Sequence, residues 1–153
     1  TTFKLCFPST AEAAGPHEFA PRTETGPAPR GTETILLVED DTQLRTLART
    51  ILERHGYRVL DAPNGTEALV LSANFSAEIA LLVTDVVMPH LNGRELASSL
   101  LATRPNTKVI YMSGYTDDAI VHNGILDAGV AFLQKPMTSV ALARKVRQVL
   151  DSQ

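Results

Sequence analysis

Apolar runs in this chain repeatedly hand over to polar residues. Ile35-Leu36-Leu37-Val38 runs into Glu39-Asp40-Asp41, and the run from Ile79 to Thr84 ends at Asp85. Two later runs end in Ser113-Gly114 and in Gln134-Lys135-Pro136. Gathering Glu39, Asp40 and Asp85 in one crevice puts like charges together, which raises carboxylate pKa values unless a cation is present. Oxygen-rich carboxylate sites with room for water suit Mg²⁺. Such an ion would also neutralise charge on a transferring phosphoryl group. Lys135 adds a mobile positive charge and Ser113 a hydroxyl donor. Acids, a lysine and a hydroxyl form a coherent set for phosphoryl transfer, where positioning and charge neutralisation do most of the work. Asp85 is the natural nucleophile, because carboxylates form acyl phosphates.

These residues converge only if the elements before them are parallel strands. The run 35–38 is continuously apolar, as in a strand buried on both faces. Leu44, Leu47, Ala48, Ile51 and Leu52 then recur at helical spacing from Thr42 to His55, and Gly56 stops that helix. Tyr57 to Leu60 reads as a second strand running into Asp61-Ala62-Pro63, and no role is assigned to Asp61. Asn64 caps a helix from Gly65 to Asn74. Ile79 to Thr84 is the third strand, and Leu96, Leu100 and Leu101 mark the third helix. Thr107 to Met112 is the fourth strand, followed by a helix from about Thr116 to Ala128 that ends at Gly129. Val130 to Leu133 is the fifth strand. Thr138 caps a last helix with Leu142, Val146, Val149 and Leu150 on its apolar face. The pattern is five βα units: an α/β, doubly wound, parallel sheet with right-handed crossovers and helices on both faces. Ligands of such sheets bind outside the carboxyl ends of the strands.

The motifs Ile35-Leu36-Leu37-Val38-Glu39-Asp40-Asp41, Thr84-Asp85-Val86-Val87-Met88-Pro89, Asn92-Gly93, Met112-Ser113-Gly114-Tyr115 and Phe132-Leu133-Gln134-Lys135-Pro136 stand in the order and spacing of one family. From about Glu33 to the C-terminus the chain resembles response-regulator receiver domains. The resemblance implies a flavodoxin-like single domain over 34–153, with strand order 2-1-3-4-5 and five helices. It implies that Asp85 is phosphorylated by a phosphohistidine on a histidine kinase or a histidine phosphotransfer protein. Asp40 would ligate Mg²⁺ directly, Glu39 through water, and the Val87 carbonyl would be a further ligand. Ser113 would bond the arriving phosphoryl group and Lys135 would neutralise it. Phe132 stands at the family's aromatic switch position, where the absence of a tyrosine hydroxyl leaves packing alone to do the switching. Glu39 is a variant of the more frequent Asp. The Lys135-Pro136 bond is expected to be cis. The surface of the fourth helix, fifth strand and fifth helix is expected to change partner contacts, and it is a candidate face for weak homodimerisation.

Plainer readings compete at each position. An Asp at a strand end is often only a turn residue. Acids at a helix N-terminus favour the helix dipole, which is the role given to Asp41. His17, His55, His90 and His122 read as surface residues, with a minor tuning role open to His90. Met88 and Met112 read as core. A nucleotide domain of this architecture needs a phosphate-cradling loop after strand one, and Glu39-Asp40-Asp41-Thr42 would repel phosphate. A paired-aspartate phosphatase lacks its second acid, since Val87 stands two past Asp85. A receiver-like adaptor that binds partners without phosphorylation remains the alternative; intact Asp85, Ser113 and Lys135 argue against it.

The chain has 153 residues, 44% of them hydrophobic, enough for a core in one domain with a tail. Its net charge of −3 and lack of a basic run give no reason to expect nucleic acid. The single cysteine, Cys6, fits a reducing cytoplasm. No apolar stretch approaches the roughly 20 residues that span a bilayer, so no membrane contact is expected of this fragment. Residues 9–33 carry scattered Pro and Gly without periodicity and read as a linker. Residues 1–8, Thr1-Thr2-Phe3-Lys4-Leu5-Cys6-Phe7-Pro8, resemble the last strand of the ATP-binding domain of sensor histidine kinases. Together these stretches imply the C-terminal receiver of a hybrid histidine kinase, whose parent chain would be an ATP-dependent phosphotransferase while the receiver itself is not an enzyme.

Overall fold

The computed structural model describes residues 30–114 and 131–152. In chain order the elements are β1 (Thr34–Val38), α1 (Thr42–Arg54), β2 (Arg58–Ala62), α2 (Gly65–Asn74), β3 (Leu81–Asp85), α3 (Gly93–Thr103), β4 (Lys108–Ser113), β5 (Ala131–Gln134) and α4 (Ser139–Asp151). The expected strand in 1–8, most of the linker and the helix over about 116–128 lie outside the described residues.

The five strands form one parallel sheet in the order β2-β1-β3-β4-β5. Successive side chains of a strand point to opposite faces, so a continuously apolar strand feeds two cores. Ile35 and Leu37 pack with Ala48, Leu52, Leu142 and Val146, the inner residues of α1 and α4. Leu36 and Val38 pack with Ala68, Leu96 and Leu100, the inner residues of α2 and α3. The first chain segment after β1 returns to β2 on one side, and the rest of the chain builds β3, β4 and β5 on the other. The strand order therefore reverses between β1 and β3, which opens a crevice at their carboxyl ends.

The helix starts follow local chemistry. Asp41 accepts the backbone N–H groups of Gln43 and Leu44 at 2.8 and 2.9 Å, and Asn64 accepts that of Glu67 at 2.9 Å. Asn92 and Glu95 form a reciprocal capping box at α3. Thr138 caps α4 through the Ala141 N–H. Gly56 takes φ 92° just past α1, a left-handed conformation that favours glycine.

Strand ends differ from the sequence reading by one or two residues. β2 continues through Asp61 and Ala62, which pair with Leu37 and Val38. Periodicity fails there because Asp61 is polar, yet a ladder needs only its backbone. For the same reason β3, β4 and β5 include their terminal polar residues: Asp85 pairs with Met112, and Ser113 with Gln134. The reactive groups thus sit on the last rungs of the sheet. His55 also departs from a plain surface reading, being half-buried with Nδ1 2.7 Å from the Ile51 carbonyl.

Candidate functional site

Glu39 follows the last residue of β1. Its N–H reaches the Ala62 carbonyl at 3.3 Å, and the residue is only 2% exposed. Asp40 is exposed beside it. Asp41 is turned away, with its carboxylate spent on the α1 cap; those backbone bonds hold its pKa below the usual value.

Asp85 closes β3. Its carbonyl accepts the Thr84 hydroxyl at 3.0 Å. Its Oδ1 accepts the Val87 N–H at 3.2 Å, and its Oδ2 lies 2.7 Å from Lys135 Nζ. The same Nζ lies 2.6 Å from Glu39 Oε2. One ammonium therefore bridges the carboxyl ends of β1 and β3, reaching from just past β5. The Lys135 N–H bonds the Ser113 carbonyl at 2.7 Å, which ties its backbone to the end of β4; the Lys135-Pro136 peptide is cis. Ser113 is buried on the last rung of β4. Phe132 is half-buried and stacks on Tyr111, with ring centroids 6.4 Å apart at 29°. The Val87 side chain is exposed, and Met88 and Met112 are buried in the core.

Burial pushes the Glu39 carboxyl up, Lys135 pulls it down, and the Asp85 charge pushes it up again; the net shift is upward. Burial also works against the Lys135 charge, but the bonds to Asp85 and Glu39 outweigh it and raise the lysine pKa. Lys135 is thus what the acids lean on in metal-free protein. Replacing it by methionine leaves two carboxylates facing each other with little water. In chelator, Lys135→Met is expected to lower unfolding stability by about 2 kcal/mol. Added Mg²⁺ should raise the thermal midpoint of that variant more than that of the parent. Equal gains in a melting experiment would show that the lysine does not offset the acid cluster.

The donor set fits a small hard cation. Oxygens of Glu39, Asp40 and Asp85 lie within 4.8 Å of one another. Oxygens at 2.0–2.1 Å around an octahedral Mg²⁺ stand about 3–4 Å apart, so small side-chain movements close the set. Of these acids Asp40 is exposed, leaving a side open to water, and Mg²⁺ usually keeps several of its waters.

A family profile described as "Response regulator receiver domain" matches residues 35–147. The chain belongs to this family. The receiver is 36% identical over 159 aligned residues to the sensor kinase CckA of Brucella abortus (strain 2308); the match takes in all of this chain and 17% of that protein's length. The crystal structure of the receiver domain from the hybrid histidine kinase CckA superposes with TM-score 0.60 at 34% identity, covering 77% of this chain and 99% of that one. The chemotaxis protein CheY4 of Vibrio cholerae shares the fold, with TM-score 0.69 at 23% identity over 78% of this chain and 99% of that one. The strand order that the family resemblance implied is the one found, and the receiver sits among the two-component signalling proteins.

Two residues at the site escaped the sequence reading. Gly93, which the sequence marks only as part of Asn92-Gly93, abuts the Asp85 carbonyl. Arg45 sits on α1 but sends its guanidinium back to the acid turn, 2.7 Å from the Glu39 carbonyl. Neither has a signal in hydropathy, because one is a close approach and the other a tertiary bond.

Proposed function

We propose that this receiver accepts a phosphoryl group from a phosphohistidine onto Asp85 in a Mg²⁺-dependent reaction, and that acceptance switches its partner contacts. The observation that carries this reading is the convergence on Lys135 Nζ of Asp85 Oδ2 and Glu39 Oε2, at 2.7 and 2.6 Å, with Asp40 alongside. A carboxylate oxygen of Asp85 forms the new bond to phosphorus as the phosphorus–nitrogen bond breaks and its electron pair returns to the donor imidazole. The Val87 N–H orients the nucleophile through Oδ1, and Lys135 faces the charge that arrives. Ser113 donates its hydroxyl to a phosphoryl oxygen. Asp40, Asp85 and the Val87 carbonyl, with Glu39 through water, would hold Mg²⁺, which would supply charge neutralisation on the transferring group. Phe132, stacked on Tyr111, is the residue whose repacking reports the event toward the β4–β5 side; a switch of this kind is a two-state equilibrium biased by the new contacts.

The parent is read as a hybrid sensor histidine kinase, with residues 1–8 the end of its ATP-binding domain, 9–33 a linker and 34–153 the receiver. An alignment that takes in all of this chain, residues 1–33 included, and 17% of a sensor kinase's length supports this. Its phosphodonor is then a histidine kinase or histidine phosphotransfer protein, in the cytoplasm where ATP is available.

Incubation with acetyl phosphate and Mg²⁺ is expected to add one phosphoryl group to the intact mass, and chelator should prevent it. A mass unchanged under both conditions would replace this reading with that of an adaptor acting by binding alone.

A further inference from the structure

We propose that Arg45 is a positioning residue for the divalent-cation site, holding the backbone of Glu39 and Asp40 so that their carboxylates face Asp85. The inference rests on the phosphoacceptor reading of the acid cluster and extends it to a residue on α1. Glu39 and Asp40 lie beyond the last paired residue of β1, Val38, which is held by Ala62 on one side and Thr84 on the other. Past that rung the ladder's last bond is a long one, from the Glu39 N–H to the Ala62 carbonyl at 3.3 Å. Arg45 takes over there. Its Nη1 donates to the Glu39 carbonyl at 2.7 Å and lies 3.5 Å from the Asp40 carbonyl. Its Nη2 lies 3.5 Å from Thr42 Oγ1.

The guanidinium is itself held. Its Nε lies 3.5 Å from Asp61 Oδ2, on the penultimate residue of β2. The other oxygen of Asp61 takes Arg49 Nη1 at 3.0 Å, and Arg49 in turn pairs with Glu53 at 2.8 Å. The Arg45 side chain is 14% exposed, so its position is set by these contacts and not by solvent. A planar fork with several donors can meet a carbonyl and a carboxylate at once, which a lysine ammonium on a flexible stem does less well. This also gives Asp61, a polar residue in an edge strand, a purpose: it orients the arginine.

Charge and position make opposite predictions. A cation close to the acids opposes binding of a second cation, so losing its charge alone would tighten Mg²⁺ binding. Losing the clamp frees the turn and weakens it. The test is Mg²⁺ binding to metal-free protein by calorimetry, with the melting midpoint in chelator recorded for each variant. Arg45→Met is expected to raise the Mg²⁺ dissociation constant by about tenfold, the lower end of the effects seen when residues that orient metal ligands are removed. Arg45→Lys should fall between Met and the parent. Asp61→Asn, which alters no residue of α1 or of the acid cluster but removes the charge that faces Arg45 and Arg49, should weaken binding in the same direction and add nothing further in combination with Arg45→Met. Unchanged or tighter binding in folded Arg45→Met overturns the proposal, as does full additivity of the two substitutions. A parent protein that binds no Mg²⁺ would instead bring down the site reading itself, and the proposal with it.

Discussion

Asp85→Asn is expected to abolish labelling by acetyl phosphate in Mg²⁺, with a loss of more than about a thousandfold in rate, as for removal of other nucleophiles. The amide keeps the shape of the side chain and can still accept the Val87 N–H, now 3.2 Å from Oδ1. What it lacks is a nucleophilic oxygen. The substitution also removes one of three carboxylates whose oxygens lie within 4.8 Å, so Mg²⁺ affinity should fall as well. Stability should change little, for two opposing reasons. Lys135 loses its charged partner at 2.7 Å but keeps Glu39 at 2.6 Å. Glu39 loses a neighbouring negative charge that pushes its pKa up. A variant that melts like the parent and carries no label assigns the chemistry to Asp85. Labelling at the parental level would move the acceptor elsewhere, and peptide mapping of the label would find it.

Much of this arrangement was legible in the sequence, because a doubly wound sheet ties function to strand ends. β1, with Ile35 to Val38 fully buried, could only be a strand covered on both faces. Once several such strands are parallel, the polar residues at their carboxyl ends must share an edge. The parallel ladder does that work: Val38 is level with Thr84, and Asp85 with Met112. Sequence patterns blur where a strand stops, since backbone pairing continues under a polar side chain, as at Asp61 and Ser113. They are blind to bonds between distant parts of the chain. The Lys135 bridge joins residues 96 and 50 positions apart; motif resemblance implies a role for that lysine, but its two partners are set by the fold. Arg45 is blinder still, because a helical arginine with ordinary neighbours carries no mark that it bonds a carbonyl. The aromatic at 132 shows the same limit: the sequence supplies a phenylalanine, and the structure supplies Tyr111 as its stacking partner.

Gly93→Ala is expected to destabilise the receiver by about 3 kcal/mol or more, the upper range for overpacking at a tight contact. Local preference points the other way. Gly93 is the first residue of α3, and alanine outranks glycine in helices by up to about 1 kcal/mol. The contact decides. A Cβ at position 93 would stand 2.1 Å from the Asp85 carbonyl oxygen, 3.1 Å from its carbonyl carbon and 3.2 Å from Thr84 Cγ2. The obstacle is backbone on the last rung of β3, not the end of a side chain that can swing away. Neither partner is free to retreat. The Gly93 N–H is bonded to the Val86 carbonyl at 3.1 Å, and the Val86 N–H to the Met112 carbonyl at 3.0 Å. The Thr84 hydroxyl holds the very carbonyl that the new methyl would strike, at 3.0 Å. Relief must therefore come from shifting α3 or from rotating the Asp85 peptide, and the second route displaces the nucleophile from Lys135. Chemical denaturation of Gly93→Ala should show the loss of stability, and the labelling rate of the remaining folded protein should fall with it. A stability equal to or above that of the parent would mean that α3 slides at little cost, and that the close approach to Asp85 does not require a glycine.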